Sequence, residues 1–135
     1  MPTVLVVDDD PMIRNLYTQV LEHAGFHATV AEDGDVGFKQ LEEMKPDVVL
    51  LDLMMPNVNG FELLAKMRAD ERFKELPVVV VTARTRDRLS THQQAELKDV
   101  KAFLTKGEFE LKSLVALVKR LVNSPNGHFT EVWPG

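Results

Sequence analysis

The chain has 135 residues and no cysteine. That absence excludes a disulfide framework, thiolate catalysis and cysteine-ligated metal. The opening residues MPTVLVVDDD lack a basic cluster. Their apolar run is far too short for a signal peptide or a membrane span. The expectation is a cytoplasmic protein with no membrane partner. Excess positive charge is also missing: the formal net charge is −5. Non-specific DNA binding relies on surplus Lys and Arg, so a DNA-binding domain is not expected. Arg84, Arg86 and Arg88 form the one local basic cluster, read as a solvated loop. The four histidines, at 23, 27, 92 and 128, show no ligand spacing and read as surface residues. No glycine-rich loop follows the first strand-like run, which argues against a nucleotide or flavin site. There is no internal repeat and no low-complexity stretch.

What is present is an alternation. Short runs rich in β-branched residues occupy 3–7, 28–31, 48–51, 78–81 and 100–104. Between them lie segments of helical spacing. Met12, Ile13, Leu16, Tyr17, Val20, Leu21 and Ala24 recur at one helix face, and Gly25 follows as a stop. Asp10-Pro11 reads as the N-cap and first position of that helix. Phe38, Leu41 and Met44 mark a second helix, Phe61, Leu64 and Met67 a third. The stretch 87–98 has a weak pattern and is read as a fourth. Leu111, Leu114, Val115, Val118, Leu121 and Val122 mark the last. Strands alternating with helices predict an α/β fold, a doubly wound parallel sheet with helices on both faces. The second and fifth runs include His27, Thr29 and Lys101, which suits sheet edges. Turn formers dominate NSPNGHFTEVWPG, so one domain is expected over 1–122, with 123–135 a tail or truncated linker.

Ligands of such sheets bind beyond the carboxyl ends of the strands. Asp8 and Asp9 end the first strand, Asp52 the third and Thr82 the fourth, and Lys106 follows the fifth. If the sheet winds as read, three carboxylates, a hydroxyl and an ammonium share one pocket. Crowded carboxylates repel unless a cation joins them, and oxygen-only ligands favour a hard ion such as Mg2+. A carboxylate beside that ion can attack a phosphoryl group and form an acyl phosphate. Taken singly, each of these residues has a plainer reading: turn acids, a surface lysine, a core phenylalanine at 103. Met54 and Met55 read as apolar packing, since thioethers prefer softer ions.

The motifs VLVVDDDP, VVLLDLMMPNVNG, VVVVTA and AFLTK, in that order, resemble the receiver domain of two-component response regulators. The resemblance covers roughly residues 3–122. It implies a flavodoxin-like five-stranded sheet in the order 2-1-3-4-5. It implies that Asp52 is the phosphorylated residue of a Mg2+-dependent phosphorelay switch. Asp9, Asp52 and the Met54 carbonyl would hold the metal, and Asp8 would reach it through water. Lys106 would pair with the phosphoryl group and Thr82 would swing to it. Phe103 would be the switch aromatic, and the face of the fourth helix, fifth strand and fifth helix would carry the signal. The implied partners are a sensor histidine kinase or phosphotransfer protein and a downstream protein target. The implied chemistry is self-phosphorylation and autodephosphorylation only, not enzymatic turnover. A stand-alone receiver of the chemotaxis type and one excised from a larger regulator both fit.

The chain departs from the family in places. Gly107 stands where proline commonly follows the lysine. Asp99-Val100 replaces a small pair, and Met54 and Arg84 occupy variable positions beside the path of the hydrolytic water. Without proline a cis bond is costly, so a trans Lys106–Gly107 bond is expected, with Gly107 taking backbone angles other residues avoid. Two alternatives remain: a metal-dependent phosphatase using Asp8-x-Asp10, and an interaction module that takes no phosphate.

Overall fold

The computed structural model describes residues 1–55 and 59–123, Arg86 without its side chain. The readings of Pro56, His128 and the 124–135 segment lie outside the described residues. The elements are β1 (Thr3–Val7), α1 (Pro11–His23), β2 (His27–Ala31), α2 (Gly34–Met44), β3 (Val48–Leu51) and α3 (Gly60–Ala69). They continue with β4 (Val78–Thr82), a 3-10 turn (Arg86–Arg88), α4 (Thr91–Glu96), β5 (Ala102–Thr105) and α5 (Leu111–Asn123). The strands form one sheet in the order β2-β1-β3-β4-β5, and every ladder is parallel. The expected α/β fold and strand order are both found.

Alternation along the central strands builds two cores. Leu5, Val7, Val49, Leu51, Val78 and Val80 face one layer, which includes Leu41, Leu63 and Met67. Val4, Val6, Val48, Leu50, Val79 and Val81 face the other, with Tyr17, Leu21, Leu114 and Leu117. β1, β3 and β4 are therefore covered on both sides, as their uniformly apolar runs predict. β2 is an edge with His27 exposed.

The first helix begins as its sequence indicates. Asp10 accepts from the Met12 amide at 2.9 Å, and Pro11 takes the first turn. Gly25 at φ +98° ends it, while the Phe26 amide donates to the Leu21 carbonyl at 3.0 Å. The apolar stripe of α1 is wider than its contact with the sheet. Tyr17 and Leu21 are buried, but Met12 is 78% and Leu16 41% exposed.

Several boundaries differ from the sequence reading, among them the start of β2 at His27 and the end of β5 at Thr105, each shifted by one residue. β4 extends through Thr82, one residue further than expected. β5 starts at Ala102, two residues later than expected, because the Val100 amide donates to Leu97 and closes the preceding turn. All four β5 residues are buried although it is an edge. The predicted 87–98 helix is interrupted: a 3-10 turn ends at Arg88 and α4 starts at Thr91. Ser90 forces the break, since it caps α4 by accepting from the Gln93 amide, while the Gln93 side chain accepts from the Ser90 amide. No residue of α4 itself is buried.

Tyr17 is the single tyrosine and only 3% exposed. Burial pushes its phenol up from 10.0 to about 12; the Lys106 charge opposes the shift, and the Asp8 and Asp52 charges add to it. The folded state thus keeps a proton that the unfolded chain releases. Stability from this group is complete below pH 10 and falls as pH rises toward 12. The total loss should be about 2–3 kcal/mol. Urea unfolding across this range, with phenolate absorbance followed in parallel, measures it. A phenol titrating in the folded protein at its ordinary value would contradict the expectation.

Candidate functional site

The sheet's own hydrogen bonds carry the candidate residues past the strand ends. The Asp8 amide donates to the Ala31 carbonyl at 3.0 Å, and the Asp52 amide to Val7 at 2.9 Å. The Lys106 amide donates to Thr82 at 2.7 Å. Parallel strands place all these ends on one rim, so residues far apart in sequence meet there.

Carboxylate oxygens of Asp8, Asp9 and Asp52 lie within 4.8 Å of one another. Asp8 and Asp52 are buried, and Asp9 is exposed. Lys106 Nζ lies 2.8 Å from Asp8 Oδ2 and 3.2 Å from Asp52 Oδ2. The other oxygen of each buried acid accepts a backbone N–H: Asp8 Oδ1 from Asp10 at 2.9 Å, and Asp52 Oδ1 from Met54 at 3.2 Å. Asp52 is thus held by longer contacts than Asp8.

Burial raises the Asp8 carboxyl above its ordinary value. The Lys106 and Asp10 hydrogen bonds oppose that, and the Asp52 charge adds to it. Burial alone would lower the Lys106 ammonium, but its hydrogen bond to Asp8 and the charges of Asp52 and Asp8 outweigh that and raise it. If all four groups ionise, the carboxylates still exceed the ammonium by the charge of one divalent cation. An oxygen-only donor set with that surplus fits a hard cation. It does not fit a soft metal, as Met54 is exposed and Met55 lies in the core.

Thr82 is fully buried, and its Oγ1 has no hydrogen-bond partner among the described residues. Phe103 is 9% exposed and packs in the core layer that includes Leu89 and Leu97. The packing role expected of both methionines holds for Met55 only; Met54 is 38% exposed. Its amide, not its thioether, faces Asp52. Asp10 is committed to capping α1. His23, His27 and His92 are exposed, and Arg84 and Arg88 also face solvent.

No described peptide bond is cis, so the Lys106–Gly107 bond is trans as expected. Gly107 has φ +82°, with open space where a Cβ would sit. Its constraint is conformational, not steric.

Arg14 escaped the sequence reading, and Gly60 entered it only as the end of the VVLLDLMMPNVNG motif. Arg14 donates to the Asp8 carbonyl at 2.8 Å and braces the end of β1. Its only signal is its position in the first turn after the Asp10 cap. Gly60 opens α3 against the Asp52-Leu53 backbone, donating its amide to the Leu53 carbonyl at 3.1 Å. A Cβ there would strike the Asp52 carbonyl oxygen and come within 2.6 Å of Leu53 Cα.

The family profile of the response regulator receiver domain matches residues 4–119. The DNA-binding dual master transcriptional regulator RpaA of Synechocystis is 35% identical over 124 residues, covering 90% of this chain and 49% of its own length. The chain thus spans about half of that relative. The receiver domain of the Francisella response regulator 1452 superimposes with a TM-score of 0.79 at 30% identity, covering 93% of this chain and 100% of that one. The response regulator protein TrrA of Thermotoga maritima, in complex with Mg2+-BeF, gives 0.77 at 29% identity, covering 90% and 99%.

Proposed function

The chain belongs to the response regulator receiver domain family, and on that premise we propose that Asp52 accepts a phosphoryl group in a Mg2+-dependent reaction that switches the domain between signalling states. The observation that carries the reading is the convergence of Asp8, Asp9 and Lys106 on Asp52. Asp52 is the better nucleophile of the two buried acids. Its oxygens are held at 3.2 Å and 3.2 Å, those of Asp8 at 2.8 Å and 2.9 Å. An Asp52 oxygen attacks phosphorus, the donor's leaving group departs, and the phosphoryl group stays on the protein. Lys106 is placed to meet the new negative oxygens, and the unpartnered Thr82 hydroxyl is available to donate to one. Asp9, Asp52 and the Met54 carbonyl would hold the metal, with Asp8 beside it. Magnesium, when bound, neutralises charge on the acids and the transferred group. No external substrate is turned over.

The TrrA complex with Mg2+-BeF supports the same ligand class here. The donors in this reading are a sensor histidine kinase or a phosphotransfer protein. The receiver unit spans 1–122, with 123–135 as tail or linker. The face of α4, β5 and α5 carries the signal, because α4 buries none of its residues and is cheap to shift. Among the described residues no helix is long and apolar enough to cross a membrane. The phosphatase alternative draws less support, since Asp10 spends its carboxylate on the helix cap and Asp8 is pinned on both oxygens.

Intact-mass measurement after acetyl phosphate tests the proposal. One phosphoryl group should be gained with Mg2+ and none with chelator. Gain without metal, or none at all, would overturn it. Mg2+ should also raise the melting temperature by ligand linkage. Asp9→Ala should abolish that shift while raising the stability of the metal-free protein, by relieving carboxylate repulsion. A metal-dependent shift of wild-type size in Asp9→Ala would count against the assigned ligands.

A further inference from the structure

The rim holds a second hydroxyl that the proposed chemistry does not use. Thr105 is the last residue of β5, 3% exposed, and its Oγ1 has no hydrogen-bond partner among the described residues. The same holds for Thr82 at the end of β4. The two are direct partners in the parallel ladder. They also share a face. Val80 and Phe103, paired one pleat earlier, both lie in the core layer that includes Leu89 and Leu97. The two-residue period carries that face on to Thr82 and Thr105.

Neighbouring strands lie about 4.8 Å apart, so rotation about χ1 of one or both threonines brings the hydroxyls within hydrogen-bonding distance. The backbone beneath them is fixed, since the Lys106 amide donates to the Thr82 carbonyl at 2.7 Å. Only the side chains are left to turn. An unpaired buried hydroxyl is unfavourable, and here two of them stand side by side.

We infer that Thr105 is a positioning residue for Thr82: its hydroxyl, not bonded to Thr82 as the two side chains stand but one χ1 rotation away, is the partner open to Thr82 while Asp52 is unmodified and given up on turning to the phosphoryl group. The inference rests on the Asp52 reading above. Because this partner serves only the resting arrangement, Thr105 weakens binding of a phosphoryl group or its mimic.

Calorimetric titration with beryllofluoride in saturating Mg2+ tests it on the full chain. Thr105→Val should bind the mimic about 3- to 10-fold more tightly, the worth of one neutral hydrogen bond. Thr105→Ser, which keeps the hydroxyl, should bind like wild type. In a Thr82→Val background, Thr105→Val should have no effect, because the group it positions is gone. Unchanged or weaker binding by Thr105→Val would overturn the inference. So would tightening of equal size in the Thr82→Val background, or Thr105→Ser behaving like Thr105→Val, since both place the effect in packing. A wild-type protein that does not bind beryllofluoride with Mg2+ overturns the Asp52 reading itself, and this inference with it.

Discussion

Asp52→Asn is expected to lose phosphoryl incorporation completely while keeping its fold. An amide oxygen carries no full negative charge and forms no acyl phosphate, so the loss is of chemistry, not of degree. The neighbours do not rescue it. Asp8 is the next buried acid, but Lys106 holds one of its oxygens at 2.8 Å and the Asp10 amide the other at 2.9 Å. Asp9 is exposed, away from the ammonium contacts that mark the reacting position. The fold should tolerate the change well. Asn can still accept from the Met54 amide, Lys106 keeps Asp8, and one charge leaves a crowded acidic cluster. The stability of the metal-free protein should change by no more than about 1 kcal/mol, because lost pairing and relieved repulsion oppose each other. Intact mass and peptide mapping after acetyl phosphate, beside a thermal melt, check both halves. A label that persists at the wild-type rate would refute the assignment, and a label that moves to Asp8 would favour the phosphatase reading.

Much of this site is legible in the sequence because each residue sits at a strand end, and strand ends are the best-marked points of the chain. Val48–Leu51 is an unbroken apolar run, so the first acid after it must lie at the rim. The same logic places Asp8 after Thr3–Val7. The winding that brings these ends together follows from the alternation of strands and helices, while the strand order came only with the resemblance to the receiver family. What stayed hidden depends on neighbours distant in sequence. The break before α4 comes from a cap whose two halves, Ser90 and Gln93, look like ordinary polar residues of a weak helix. Met12 and Leu16 fit the α1 stripe by spacing, yet nothing in the spacing tells how far the sheet extends beneath them. The pairing of Thr82 with Thr105 needs the β4/β5 register, which no local pattern encodes.

Gly60 belongs to the same class and carries the largest expected structural effect. In sequence it is the last residue of the VVLLDLMMPNVNG motif, with no physical cause attached to it. The structure supplies the cause. Gly60 opens α3, after Asn59 caps the helix by accepting from the Glu62 amide at 3.0 Å. The helix start is pressed directly on the backbone that follows β3. A methyl group at Gly60 would strike the Asp52 carbonyl oxygen and lie 2.6 Å from Leu53 Cα. Neither atom belongs to a flexible side chain that can swing away. The Gly60 amide bond to the Leu53 carbonyl, 3.1 Å, ties the same two segments together, so relief requires α3 to lift and that bond to lengthen. Leu63 and Met67 on α3, both fully buried, resist the lift. Gly60→Ala should therefore cost about 3 kcal/mol, the upper range for overpacking, although alanine is the better helix former. A melting temperature lower by on the order of 10 °C follows for a domain of this size. The displacement also falls on the residue that carries the nucleophile, so phosphorylation by acetyl phosphate should slow even well below the melting temperature. Gly37→Ala provides the contrast. Its added methyl would meet Leu63 Cδ2 at 3.1 Å and Val7 Cγ2 at 3.4 Å, both side-chain atoms that can yield. That variant should lose less stability and keep its labelling rate. If Gly60→Ala melts and labels like wild type, the close approach of α3 to the Asp52 backbone is not what fixes the nucleophile in place.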